Sequence, residues 1–270
     1  ARESAFITDV KGELSANPKL RGFMKKNGIT PVYLDFRNFS GDGYNIFEQA
    51  FRFYLEGKKE KSEVMITKLI KTLGSAYDDD KDPFWPQSAA QLLSPIIKMI
   101  FSYSACSSKR HKMVNMLSVS SFLNAEMQNM FRHEIDDGLL YDLLDRKDIN
   151  ILGSVIGNSE KTFGCILGFA QSFIQDFTAQ ENLMKMTSCT TFSVEEMYEK
   201  PSFVFLIVPD ETNAYDSISG MLIDIFYTAL IETYSEKYQG RAEASCRINF
   251  ICDEFCNMNI NDMRDRKSVV

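Results

Sequence analysis

The sequence predicts an α/β protein: a buried, mostly parallel sheet interrupted along the chain by a long helical insertion. Four short apolar runs each end in an acidic or turn residue: Phe6 to Thr8 before Asp9, Val32 to Leu34 before Asp35, Phe203 to Val208 before Pro209-Asp210, and Ile248 to Cys252 before Asp253. Continuous rather than alternating apolarity marks strands covered on both faces, as in a parallel sheet flanked by helices. Between the second and third runs, from about Asn45 to about Thr187, apolar residues recur at helical spacing and no comparable strand run occurs.

Taken in order, the first strand turns at Asp9-Val10-Lys11-Gly12 toward a helix start, and an irregular stretch from Ser15 to Leu20 precedes the second strand. Phe47, Phe51 and Leu55 open the helical part, and Val64, Ile66, Leu69, Ile70 and Leu73 continue it. An acidic turn, Asp78 to Asp82, introduces a helix carrying Trp85, Leu92, Leu93, Ile96, Ile97 and Ile100. Further helices are expected at Met113 to Phe122, Ala125 to Ile135, Leu139 to Leu144 and Thr162 to Phe177. Asp216 to Tyr238 is a helix between the last two strands, ended by Gly240, and strand, helix, strand predicts a right-handed crossover. The expected organisation is one α/β domain in two pieces, 1–45 and 190–270, with an all-helical insertion over 46–189.

Composition narrows the function. A net charge of −7 argues against a surface built to wrap nucleic acid, so any DNA contact is local. Lys58-Lys59-Glu60-Lys61 and Lys109-Arg110-His111-Lys112 are short basic clusters that read more simply as solvated faces. Asp78 to Asp82 can attract a basic partner, although a helix flank is the simpler role. The six cysteines have no repeating spacing, and three lie in apolar segments read as core, which fits a reducing compartment. Cys252 and Cys256 lack the second pair or histidine that a zinc site needs. His111 and His133, the only histidines, sit among basic residues on expected helices, and no nucleophile elbow accompanies them. Gly164 and Gly168 read as a close helix contact in a core. No run of about eighteen apolar residues spans a membrane.

The chemistry-bearing segments are two strand ends. Ile248 to Glu254 has the form of a Walker B strand: Asp253 at the carboxyl end of a buried parallel strand can hold Mg²⁺ through water, and Glu254 can orient or deprotonate an attacking water. The plain alternative is a solvated strand terminus. Asp9, Lys11 and Gly12 form the other end, which gains weight if both strands share a sheet edge.

Thr8-Asp9-Val10-Lys11-Gly12-Glu13-Leu14 is similar to the Thr-Asp-Pro-Lys-Gly-Glu-Leu signature of TraG/TraD-type (VirD-like) type IV coupling proteins, with Val10 in place of proline. Val32 to Arg37 with Gly43-Tyr44-Asn45 resembles the family segment ending in Tyr-Asn-Pro, with Ile46 replacing the proline. Asp82-Pro83-Phe84-Trp85, Ser159 to Gly164, Phe203 to Asp210 and Cys252 to Met258 resemble further family elements in the same order across nearly the whole chain.

The resemblance implies a RecA-like P-loop NTPase that binds ATP and Mg²⁺, forms homo-hexamers and drives DNA transfer. Its inserted all-α domain recruits a relaxase, the relaxosome or secreted protein substrates, and it works beside secretion-channel components. The implied place is the cytoplasmic face of the bacterial inner membrane, anchored by an upstream segment. Carried over by residue, Glu254 is catalytic, Asp253, Asp9, Lys11 and Gly12 hold nucleotide and Mg²⁺, and Arg264 and Arg266 are a possible arginine sensor. Related FtsK or HerA hexameric DNA pumps are an alternative, as is a fragment acting only in substrate docking. The family's Gly-Lys-Ser/Thr loop does not occur: the adjacent Gly and Lys pairs, Lys11-Gly12 and Gly57-Lys58, lack the glycine spacing of a phosphate cradle. With the abrupt start at Ala1, the sequence reads as a piece of a longer protein and is expected to be inactive alone.

Overall fold

The computed structural model describes residues 2–77, 82–136, 138–208, 216–238 and 243–252. The chain is mixed α/β and divides into two compact units, Ala1–Asn45 with Lys185–Val270, and Ile46–Met184. All described strands lie in the first unit.

Those strands are β1 (Arg2–Asp9), β2 (Thr30–Asp35), β3 (Ser40–Gly41), β4 (Ser202–Ile207) and β5 (Cys246–Ile251), in the order β3-β2-β4-β1-β5. Every pairing is parallel except that of β2 with the short edge strand β3. Because β4 lies between β1 and β2, the two N-terminal strands do not pair with each other; the late part of the chain joins them into one sheet.

Burial follows position in the sheet. Phe6, Ile7, Val204, Phe205 and Leu206 are buried, so β1 and β4 are covered on both faces, as continuous apolarity requires. β2 differs: buried Val32 and Leu34 alternate with half-buried Tyr33 and Asp35. β5 pairs with β1 alone among the described residues and is half-exposed, with Ile251 52% exposed.

The stretch from Ser15 to Leu20, irregular in the sequence, is helical on either side of Asn17. It ends α1 (Glu13–Ala16) and begins α2 (Pro18–Asn27). Asn17 is extended and its side-chain oxygen accepts the N–H groups of Lys19 and Leu20, while Pro18 enters the first turn, where its missing donor costs nothing.

The second unit holds α3 (Glu48–Leu55), α4 (Lys59–Gly74), α5 (Phe84–Ala105), α6 (Met116–Ser121), α7 (Glu126–Asp136), α8 (Arg146–Ile156), α9 (Glu160–Thr178) and most of α10 (Glu181–Met186). α5 supplies buried Leu92, Leu93, Ile96, Ile97 and Phe101, and the Phe101 ring meets Phe51 edge-on at 5.1 Å.

Several local expectations change here. The helix expected from Met113 begins at Met116, because Asn115 caps it by accepting the Ser118 N–H at 2.9 Å; a 3₁₀ stretch, Ser108–Met113, precedes it. Leu139–Asp142 is also 3₁₀, entered through the left-handed Gly138. α8 was not anticipated; Asp145 starts it by accepting the Asp148 N–H at 2.8 Å. Gly164 and Gly168 are exposed with open space around them, so they are not a close helix contact. Of the described cysteines, Cys246 is buried and Cys252 half-buried, while Cys106, Cys165 and Cys189 are exposed; Cys256 lies outside the described residues.

Back in the first unit, α11 (Asp216–Lys237) buries Leu222, Ile223, Phe226, Ala229 and Leu230. Phe226 packs on Phe6 at 4.8 Å and on Tyr44 at 5.2 Å. Among the described residues no helix is long and apolar enough to cross a membrane.

Candidate functional site

Open parallel sheets bind ligands in the crevice beyond the carboxyl ends of their strands. The register levels those ends: Asp9 of β1 and Asp35 of β2 each pair with Ile207 of β4. On the other side of β1, Ile7 pairs with Ile251 of β5. Asp9, Lys11 and Gly12 are therefore together on this rim. Asp253, Glu254, Arg264 and Arg266 lie outside the described residues, as do Pro209 and Asp210.

Asp9 is 3% exposed, and both of its carboxylate oxygens face backbone donors. Leu14 N–H donates to Oδ1 at 3.0 Å and Ser15 N–H to Oδ2 at 2.7 Å. Amides at a helix start have no intrahelical acceptor, and negative charge there is favourable, so Asp9 completes α1 from the strand end. The Asp9 carbonyl also accepts the Gly12 N–H at 3.2 Å, closing a turn over residues 9–12. With both oxygens so engaged, Asp9 shapes the loop.

The turn holds two residues at positive φ. Gly12 has φ 73°, a conformation that costs an L-residue about 1–2 kcal/mol. Lys11 has φ 126° and an exposed side chain; holding a non-glycine residue in so sparse a region costs on the order of 1–3 kcal/mol. The loop is braced from behind, with Ser15 Oγ donating to the Gly12 carbonyl at 3.2 Å and Arg21 Nε to the Ser15 carbonyl at 2.7 Å. Next along the rim, Asp35 accepts the N–H groups of Arg37 and Asn38, both at 3.0 Å, in a side-chain-mediated turn.

A second polar cluster lies in the helical unit. Lys98 Nζ donates to Glu63 at 2.8 Å and to Asp148 at 2.9 and 3.0 Å, beside a cavity of about 270 Å³. Burial pushes the Asp148 carboxyl up, opposed by Lys98. The Lys98 ammonium is itself held above its ordinary value: burial, the largest single influence, lowers it, but the two carboxylates together outweigh that. Glu63, Asp145 and Asp148 present oxygens within 4.8 Å of one another. A metal ion there would meet the Lys98 ammonium already seated on two of the three.

A family model described as type IV secretory system conjugative DNA transfer matches residues 1–263. The chain belongs to this family. The TraG/TraD-type resemblance is to the same proteins, and no curated protein matches the chain. The match takes in Asp9, Lys11, Gly12, Asp253 and Glu254, while Arg264 and Arg266 fall beyond its end.

For this conjugative DNA transfer chain, two groups escaped the sequence reading. The Lys98 cluster had a signal, a single lysine inside the apolar run Ile96-Ile97-Lys98-Met99-Ile100. The cations of α2 did not read as a cluster, since Leu20, Gly22, Phe23 and Met24 separate them. Of the histidines, His111 is half-buried with its ring edge-on to Phe51 at 5.1 Å, and His133 is exposed on α7.

Proposed function

We propose that the chain is part of a DNA-transfer ATPase, a RecA-like NTPase whose rim at β1 and β5 forms one wall of a nucleotide site. The observation that carries this reading is the parallel pairing of β1 with β5, Ile7 opposite Ile251. Asp253 stands two residues after Ile251, as Asp9 stands two after Ile7. In this reading Asp253 holds Mg²⁺ through water and Glu254 orients the attacking water. Asp9 holds the turn that presents Lys11, and the backbone strain at Lys11 is of the kind that clusters at ligand clamps.

The described rim fits a triphosphate only in part. It supplies one lysine and a tight turn, and residues 1–270 contain no Gly-rich Lys-Ser/Thr loop to cradle the β- and γ-phosphates. That loop and neighbouring subunits of a homo-hexamer would complete the site from outside these 270 residues, with Arg264 or Arg266 reaching a neighbour. The helical unit, 46–184, is the surface for relaxosome or protein substrates at the membrane face of a secretion channel. Purified 1–270 should release no phosphate from ATP with or without DNA. Robust turnover that Glu254→Gln abolishes would show the site complete within these residues and sink this division of parts.

A further inference from the structure

α2 runs against the charge of the chain. Over Pro18–Asn27 it carries Lys19, Arg21, Lys25 and Lys26 with no acidic residue, in a protein of net charge −7. Its inner face is apolar: Met24 is buried in a cluster with Ala5, Ile7, Phe205 and Ile207, and Leu20 packs against that cluster. Residues three and four apart share a helical face, so Lys19, Phe23 and Lys26 form one outward row, Arg21 and Lys25 form a second, and Gly22 lies between them. All six are exposed, Phe23 to 51%. Lys19, Lys25 and Lys26 have no ionic or hydrogen-bond partner through their side chains among the described residues.

Fold stability explains only part of this surface. Lysines in a last turn complement the helix dipole, which accounts for Lys25 and Lys26, but Lys19 lies in the first turn, where the dipole opposes a cation. Glycine inside a helix costs about 1 kcal/mol relative to alanine. At Gly22 neither space nor backbone conformation demands it: an added Cβ would meet nothing within 4 Å, and no positive φ occurs there. A bare backbone between two rows of cations suits close approach by an extended anionic chain.

We propose that this face of α2 binds single-stranded DNA, with Lys19, Arg21, Lys25 and Lys26 on successive phosphates, the backbone passing over Gly22, and a base against Phe23. It rests on the DNA-handling part of the proposed function. An anionic membrane fits less well, because an interfacial helix needs a broad apolar face and that of α2 is already buried against the sheet.

The test is fluorescence anisotropy of a labelled oligothymidylate with the 270-residue chain over a salt series. Lys19→Gln/Lys25→Gln/Lys26→Gln should flatten the slope of log K against log salt by about 2, since each phosphate contact to a single strand contributes about 0.7. Phe23→Ala should weaken binding about 5-fold or more at every salt concentration, through lost stacking. Gly22→Ala should melt later than wild type and bind less tightly. An unchanged slope in the triple variant overturns the assignment to α2 while leaving DNA handling to another surface. Absence of any salt-dependent binding by the wild-type chain removes both. Phosphatidylserine vesicles run in parallel decide the remaining source: vesicle binding that the triple variant loses, with oligonucleotide binding intact, overturns the proposal in favour of a membrane.

Discussion

Replacing Asp9 isolates the contact that builds the rim loop. Asp9→Ala removes two charge-assisted hydrogen bonds, one to the partly buried Leu14 N–H and one to the buried Ser15 N–H. Bonds to charged groups contribute about 1.5–3 kcal/mol each. Water can replace the lost partner at Leu14 more readily than at Ser15, which lowers the sum to about 2–4 kcal/mol. That exceeds the ~0.5–2 kcal/mol of an exposed helix cap, because Asp9 is 3% exposed. Asp9→Asn keeps one acceptor oxygen for two donors and turns an amide toward the second, so about half of the loss should remain. Urea unfolding followed by far-UV circular dichroism should order the proteins wild type, Asn, Ala by midpoint at constant slope. Asp9→Ala within about 0.5 kcal/mol of wild type, the usual range for an uninvolved surface substitution, would refute the loop-building role.

Gly12→Ala should cost about 1–2 kcal/mol for its positive φ, with little steric addition, since the new Cβ would lie 3.5 Å from Ile207 Cγ2, an ordinary contact; thermal melts should show it opposite in sign to Gly22→Ala, and matching shifts would contradict the conformational argument. Lys98→Met leaves Asp148, 5% exposed in its side chain, without its ammonium, and breaking one side of a buried pair costs about 3–5 kcal/mol. Burial already raises the Asp148 carboxyl, and without Lys98 it rises further. The folded variant then holds a proton the unfolded chain has released, so its deficit is largest at neutral pH and shrinks as pH falls toward the ordinary carboxylate value of about 4; urea midpoints showing equal deficits at pH 7 and 4.5 would argue against it.

The strands were legible because each apolar run is followed by an acidic or turn residue: Asp9, Asp35, Pro209-Asp210 and Asp253 all stand just past apolar segments. Their pairing was less so, since nothing local says that Phe205 of β4 lies between Ile7 and Tyr33. Short elements failed where a side-chain cap decides: Asn17, Asn115 and Asp145 each start a helix by accepting backbone N–H groups, a signal that apolar periodicity does not carry. The ligand role of Asp9 comes from the family signature around it, while its strand-end context alone points to a turn and a helix start; only geometry shows two amides on its carboxylate. The face of α2 was hidden by the same cause in reverse, as four cations of which only Lys25 and Lys26 are adjacent in sequence become two rows once wound at 3.6 residues per turn.

DNA transfer from donor cells whose native gene carries Glu254→Gln tests the central claim most directly, because it asks whether that carboxylate drives the family's process in the intact protein. With protein level unchanged, transfer frequency should fall at least about 100-fold, the lower range for removing a positioned general base. Transfer at the wild-type frequency would contradict the motor account.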